Sequence, residues 1–202
     1  MANLLIRNIS LLFILSSLLS CGNIDKKVDK QEEKTLSEKE KVYYLDQGKI
    51  IASKTFETLS KELSAKIGEE GVSGAIKYCN VNALGLTDSI ADLYTVDVKR
   101  VSDKIRNQNN RADSIELAVI NGYKDKMSKG EQLDPILVQE DGKVRFMAPI
   151  ILKELCLNCH GIPGTNILDQ NMEVIQRYYP EDRALNYKLG DLRGIWSISF
   201  IK

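Results

Sequence analysis

The chain of 202 residues has no surplus of either charge, since 28 lysines and arginines are matched by 28 aspartates and glutamates. A nucleic-acid-binding protein usually carries a basic surplus, so this balance argues against that class of partner. The chain also has a single histidine, His160, which excludes a site that needs two histidine ligands or a second, catalytic histidine. Its apolar run from Ile9 to Leu19 is broken by serines and is shorter than the ~20 residues that span a bilayer.

Residues 1–21 are interpreted as an export signal. Arg7 precedes the apolar run, which ends in Leu-Leu-Ser-Cys-Gly, with Cys21 as the cysteine. This ending resembles a bacterial lipobox, whose cysteine is diacylated and becomes the first residue of the mature chain. Lipidation of Cys21 would anchor the protein at a membrane of the cell envelope, facing the periplasm or the exterior. The alternatives are an ordinary signal peptide or an uncleaved anchor. Residues 22–40 are mostly charged or polar, which predicts a flexible tether; the alternative is a solvated helix face from about Thr35 onward.

The remaining cysteines include Cys156 and Cys159, which with His160 form the sequence Cys-Leu-Asn-Cys-His. This is the attachment signature of a c-type haem. Two thiols one short turn apart add to the two vinyl groups of the porphyrin, and the next residue offers an imidazole to the iron. Export agrees with this interpretation, because c-type haem is attached outside the bacterial cytoplasm. The sequence therefore predicts one haem c, held covalently through Cys156 and Cys159 with His160 on the iron.

Three other uses of these residues stay open. A zinc ion accepts a set of three cysteines and one histidine, which Cys79, Cys156, Cys159 and His160 would supply. That set requires the adjacent Cys159 and His160 to turn toward one small ion. A redox dithiol and a structural disulfide are the other two, and neither gives His160 a role.

The sixth ligand of a bound iron cannot be a second histidine. Cys79 is the first candidate, because it is the remaining thiol on the apolar stripe of a predicted helix; otherwise it is a small buried hydrophobe. A thiolate ligand would lower the reduction potential, and its loss on reduction would open the site. Arg100 or Arg106 is expected to meet a haem propionate, unless they belong to a solvated loop. The other candidate ligands are Met127, Met147, Met172, a tyrosine, a lysine, water or an open position.

Hydrophobic periodicity predicts an α+β domain over residues 41–202, with an antiparallel sheet. Gly68 and Gly71 mark a break between two long helices, and Asp141-Gly142 marks the turn of a hairpin. The predicted helices are 41–68, 73–94, one from Asp113 or Ser114 to 127, and 172–178. The predicted strands are 95–102, 135–140, 143–149 and 193–201.

Six short motifs occur in order along the chain, at residues 75–80, 99–102, 106–110, 145–150, 156–161 and 190–194. Together they resemble a known family across residues 45–201. The family is that of single-haem, PAS-like c-haem domains long labelled as a domain of unknown function, found alone and as extracytoplasmic sensor segments of histidine kinases. The resemblance implies a PAS-like sheet with long N-terminal helices, a covalent haem, and axial ligation by His160 and Cys79. The chain departs from the family's loop pattern, Arg-Asn-Pro-x-Asn with a further proline, at Gln108 and Arg111.

The function expected from these features is that of a lipid-anchored haem protein outside the cytoplasm, which senses redox state or a small ligand such as a gas. A sensor of this kind needs a signalling partner, because the sequence contains no kinase. The alternative is a monohaem electron carrier with a redox partner. An enzyme such as a peroxidase is not expected, because the chain has no second histidine for acid–base catalysis.

Overall fold

The structure is a computed structural model that describes residues 35–140 and 142–200. The predicted export signal, Cys21, most of the tether and Asp141 lie outside the described residues. Within them, no helix has the length and apolar character needed to cross a membrane. The helices are α1 (Glu38–Tyr94), α2 (Ser114–Ser128), α3 (Leu157–His160) and α4 (Asp169–Tyr178). The strands are β1 (Val96–Val101), β2 (Ile136–Glu140), β3 (Lys143–Ile151) and β4 (Leu192–Phe200).

Helix α1 is broken at Gly71, whose φ of 70° and ψ of −178° are not helical. The Tyr78 hydroxyl donates to Oε2 of Glu62 over 3.2 Å, although the two residues are 16 positions apart. Sixteen residues of unbroken helix would separate them by about 24 Å. The chain therefore reverses direction at Gly71, and the two halves of α1 lie side by side. The prediction of two helices with a glycine break is confirmed.

The four strands form one antiparallel sheet in the order β1-β4-β3-β2. Consecutive residues of a strand point to opposite faces, and both faces of this sheet are covered. Phe146 and Ile198 pack against both halves of α1, through residues that include Ile51 and Ile90. On the other face, Met147 and Ile195 pack against α2 in a second cluster. The predicted α+β class and antiparallel sheet are confirmed.

The first half of α1 approaches the sheet most closely at Gly48. A Cβ atom there would lie 2.1 Å from Cγ of Phe146, which is fully buried. We expect Gly48→Ala to lower the free energy of unfolding by ~1–3 kcal/mol, because the ring has no space to move into. Gly68→Ala is the matched control, since no atom lies within 4 Å of its added Cβ. That substitution should stabilise the protein by up to ~1 kcal/mol.

Urea denaturation of the two alanine variants beside the unaltered protein measures this difference. Equal midpoints for Gly48→Ala and Gly68→Ala would contradict the close packing of α1 on Phe146.

Candidate cofactor site

The Cys-Leu-Asn-Cys-His motif folds as two short helical turns, a 3₁₀ turn at Glu154–Cys156 followed by α3. This local helix places Cys156 and Cys159 three residues apart on one side. Both thiols are free and half-buried. Burial raises the pKa of the Cys159 thiol to about 11. The free thiols do not form the structural disulfide, and a redox dithiol would leave His160 without a role.

The His160 imidazole is oriented by a backbone carbonyl. Its Nδ1 lies 2.8 Å from the oxygen of Ala184. A carbonyl only accepts, so Nδ1 carries the proton and Nε2 keeps its lone pair for a metal. Burial, together with the guanidinium groups of Arg106 and Arg193, holds the pKa of His160 well below its ordinary value. The side chain is therefore a neutral imidazole, which is the form that binds iron.

Arg106 holds the segment around Ala184 against the Cys-Leu-Asn-Cys-His motif. Its Nη2 donates to the carbonyl of Cys159 over 2.6 Å and to Oδ2 of Asp182 over 2.9 Å, and its Nε donates to Oδ1 of Asp182. Oδ1 of Asp182 also accepts from the amide of Ala184, over 2.8 Å. Arg106 is thus a positioning residue for His160, with internal partners on both sides. Its predicted contact with a haem propionate stays a prediction.

Cys79 reaches the motif from the second half of α1, 80 residues before Cys159 in sequence. Ile76, one turn earlier on α1, packs in the same apolar cluster as Cys159. Burial raises the pKa of the Cys79 thiol, while Arg100 and Arg106 are near enough to oppose that shift. The fold therefore brings together Cys79, both motif cysteines, His160 and the two predicted arginines. Arg100 has no carboxylate partner among the described residues.

The other candidate ligands separate by position. Met127 and Met147 belong to the core on the α2 face of the sheet, whereas Met172 packs against the same apolar cluster as Cys159. Cys79 and Met172 are therefore the two alternative sulfur ligands that lie near the motif. Among the described residues, no three side chains of His, Cys, Asp or Glu are placed to hold a metal ion together. The four residues of the zinc interpretation thus do not form that tetrahedral set.

Sequence reasoning missed the segment that supports His160, which includes Asp182, Ala184 and Tyr187. The Tyr187 ring meets the imidazole edge to face, with 6.3 Å between centroids, and its amide donates to the His160 carbonyl. The Tyr187 hydroxyl is buried without a hydrogen-bond partner. The donor set is thus two free thiols, a neutral imidazole with Nε2 available, a third thiol and an unsatisfied hydroxyl. Such a set fits a covalently attached haem.

The profile of the Tll0287-like family matches residues 23–200, a span that contains every one of these residues. The chain belongs to the Tll0287-like family. Its fold is similar to the crystal structure of the cyanobacterial heme-protein Tll0287, with a TM-score of 0.60 and 21% sequence identity. That likeness covers 83% of this chain and 98% of the other. No curated protein matches the chain.

The comparisons establish that the chain belongs to the Tll0287-like family and that it has the predicted α+β fold. The more detailed description of the family, a PAS-like domain with two named axial ligands, remains a prediction.

Proposed function

We propose that this protein binds one haem covalently through Cys156 and Cys159, with His160 and Cys79 as its axial ligands. The observation that carries the proposal is His160, whose Nδ1 is committed to the Ala184 carbonyl beside two free thiols. Such a hydrogen bond to the other ring nitrogen is the usual support of a metal-binding histidine. The structurally similar cyanobacterial Tll0287 is described as a heme-protein. Haem supplies an iron that changes oxidation state by one electron.

The proposed role is that of a redox or small-ligand sensor with a PAS-like domain, held at the cell envelope by a lipid on Cys21. The position of Cys79 supports this role. It belongs to the second half of α1, whereas His160 belongs to the C-terminal half of the domain. The two proposed ligands therefore join segments that the sequence separates, so a change at the Cys79 contact would alter how those segments pack. A sensor would pass that change to a signalling partner, and no enzymatic activity is proposed.

Replacement of Cys79 by alanine tests the axial assignment. We expect Cys79→Ala to keep covalent haem but to lose the low-spin, sulfur-ligated ferric absorption and electron paramagnetic resonance spectra, because alanine has no donor atom. Met172→Leu is the matched control, since Met172 is the other sulfur beside the motif. Its ferric spectrum should equal that of the unaltered protein. An unchanged spectrum in Cys79→Ala, or a changed one in Met172→Leu, would assign the ligand elsewhere.

The same preparations separate a sensor from an electron carrier. A sensor of small ligands needs an exchangeable position, so the reduced protein should bind carbon monoxide or nitric oxide with a change in its absorption spectrum. A reduced protein that stays six-coordinate and ignores both gases would favour the electron carrier.

A further inference from the structure

The Tyr187 hydroxyl is an exception among the buried side-chain polar atoms of the described residues, because the others form hydrogen bonds. Tyr187 is 5% exposed, and its hydroxyl is the one fully buried side-chain polar atom without a hydrogen bond in residues 35–140 and 142–200. Buried polar groups are nearly always paired, because water cannot compensate them. Burial raises the pKa of Tyr187, and the side chains of Ser102 and Arg193 lie near enough to the hydroxyl to oppose that shift. Neither meets the geometry of a hydrogen bond to it, so the hydroxyl has polar neighbours but no hydrogen bond within the described residues.

Two cations surround the Tyr187 ring. Nζ of Lys104 lies 4.9 Å from the ring centroid, and Cζ of Arg193 lies 5.7 Å from it. Arg193 donates through Nη1 to the Lys104 carbonyl over 2.9 Å, which leaves its other guanidinium donors for another acceptor. Neither cation has a carboxylate partner among the described residues. The Ser102 hydroxyl donates to the Arg193 carbonyl over 2.7 Å and accepts from the Lys104 amide over 3.1 Å.

The group formed by Tyr187, Lys104 and Arg193 differs in its charge from Arg106, the other arginine beside His160. Arg106 is neutralised by Asp182, whose side chain is 4% exposed, so it has little capacity for a further anion. Arg193 and Lys104 provide two positive charges next to a hydroxyl that can donate. The carboxylates that act on this group, Asp182 and Asp103, are paired with Arg106 and Lys124. Such a set suits an anion with several acceptor atoms, and a planar carboxylate matches the guanidinium fork in particular.

We propose that Tyr187 and Arg193, assisted by Lys104, bind a carboxylate, and that in the loaded protein this carboxylate is a propionate of the haem. The second part rests on the proposed function. The location agrees with it, because the Tyr187 ring lies against the His160 imidazole. Arg193 thereby joins Arg100 and Arg106, the two arginines that the sequence suggested for this role.

The test uses the full-length, haem-loaded protein and its variants Tyr187→Phe and Arg193→Gln. Each should shift the propionate bending mode in the resonance Raman spectrum and lower the thermal unfolding midpoint by about 3–10 °C. Tyr123→Phe is the matched control, because the Tyr123 hydroxyl is bonded to the carbonyls of Asp134 and Met147, in the core on the α2 face. It should lower the midpoint but leave the propionate mode unchanged. Arg193→Lys, which keeps the charge, should restore part of the loss.

If the Tyr187 hydroxyl has no partner in the loaded protein, its removal will not lower the free energy of unfolding. An unchanged or higher thermal midpoint in Tyr187→Phe, with an unchanged propionate mode, would therefore overturn the carboxylate site. Stabilisation of the loaded, unaltered protein by added acetate, lost in Arg193→Gln, would instead assign the site to a free carboxylate and overturn its assignment to haem. The pyridine haemochrome spectrum of the unaltered protein is measured first. Absence of covalent haem in that spectrum would refute the proposed function. The carboxylate site would then be tested by acetate alone: stabilisation that is lost in Arg193→Gln would support it, and no stabilisation would overturn it.

Discussion

A chain in which Cys156 and Cys159 are both replaced by serine is expected to be recovered without covalent haem. Serine preserves the size of each side chain and the short helical turns that carry them, so the local fold should survive. A hydroxyl is a far weaker nucleophile than a thiol and does not add to the vinyl groups. Haem content after denaturation should fall from about one per chain to background, because non-covalent haem is extracted. Haem staining of a denaturing gel and the intact mass of the chain measure this.

Cys79, the third thiol among the described residues, provides the control. Cys79→Ser should keep the full covalent haem content, because Cys79 is proposed as an axial ligand rather than an attachment point. Each single serine variant of the motif should keep one thioether bond, which the intact mass would show. If Cys79→Ser loses as much covalent haem as the double variant, the attachment has been assigned to the wrong cysteines.

Arg106→Gln is expected to be among the most destabilising single substitutions in the domain. The guanidinium is 12% exposed and pairs with the Asp182 carboxylate, which is 4% exposed. Removing the arginine leaves that carboxylate buried and uncompensated, and such a loss costs ~3–5 kcal/mol in the free energy of unfolding. The substitution also removes the donor to the Cys159 carbonyl, so the turn that holds His160 should loosen. Urea denaturation measures the first effect, and the iron–histidine mode in the Raman spectrum reports the second.

Two further variants make this result specific. The double variant Arg106→Gln/Asp182→Asn should be more stable than Arg106→Gln alone, because the buried charge has been removed as well. Lys124→Gln serves as an exposed counterpart, since Lys124 and its partner Asp103 are 44% and 26% exposed. That loss should cost less than ~1 kcal/mol. Equal effects of Arg106→Gln and Lys124→Gln would show that the burial of the Arg106 pair contributes nothing.

Most of the fold could be predicted from the sequence, because apolar periodicity reports directly on which face of an element is buried. The break of α1, the hairpin and the final strand lie within one to three residues of their predicted positions. The start of α4 shows where periodicity fails. Its first turn is polar, yet Asn171 is buried and accepts a hydrogen bond from Ser73, 98 residues earlier. A polar residue buried by a distant partner leaves no periodic signal.

The candidate site, like the fold, could be predicted from the sequence only in part. The proposed haem-attachment motif stands out in the sequence because its chemistry requires given residue types at a given local spacing. The support of His160 could not, because the decisive acceptor is the backbone carbonyl of Ala184, which any residue could supply. Tyr187 follows in an irregular segment, where neither a helical nor a strand period marks it. Elimination and the family resemblance both favour Cys79, but only the fold shows that it lies near the motif.

The reversal of the chain at Gly71 also has an electrostatic consequence. The contact between Glu62 and Tyr78 places Cys79 beside the far end of the first half of α1. About 25 helical residues, or roughly 38 Å, separate this level from the point near Ser37 where the chain enters the domain. The Debye length at physiological salt is only ~8 Å. The charges of the first turn of α1, those of Glu38 and Glu40, are therefore screened from the site, whose electrostatics are set by its own arginines.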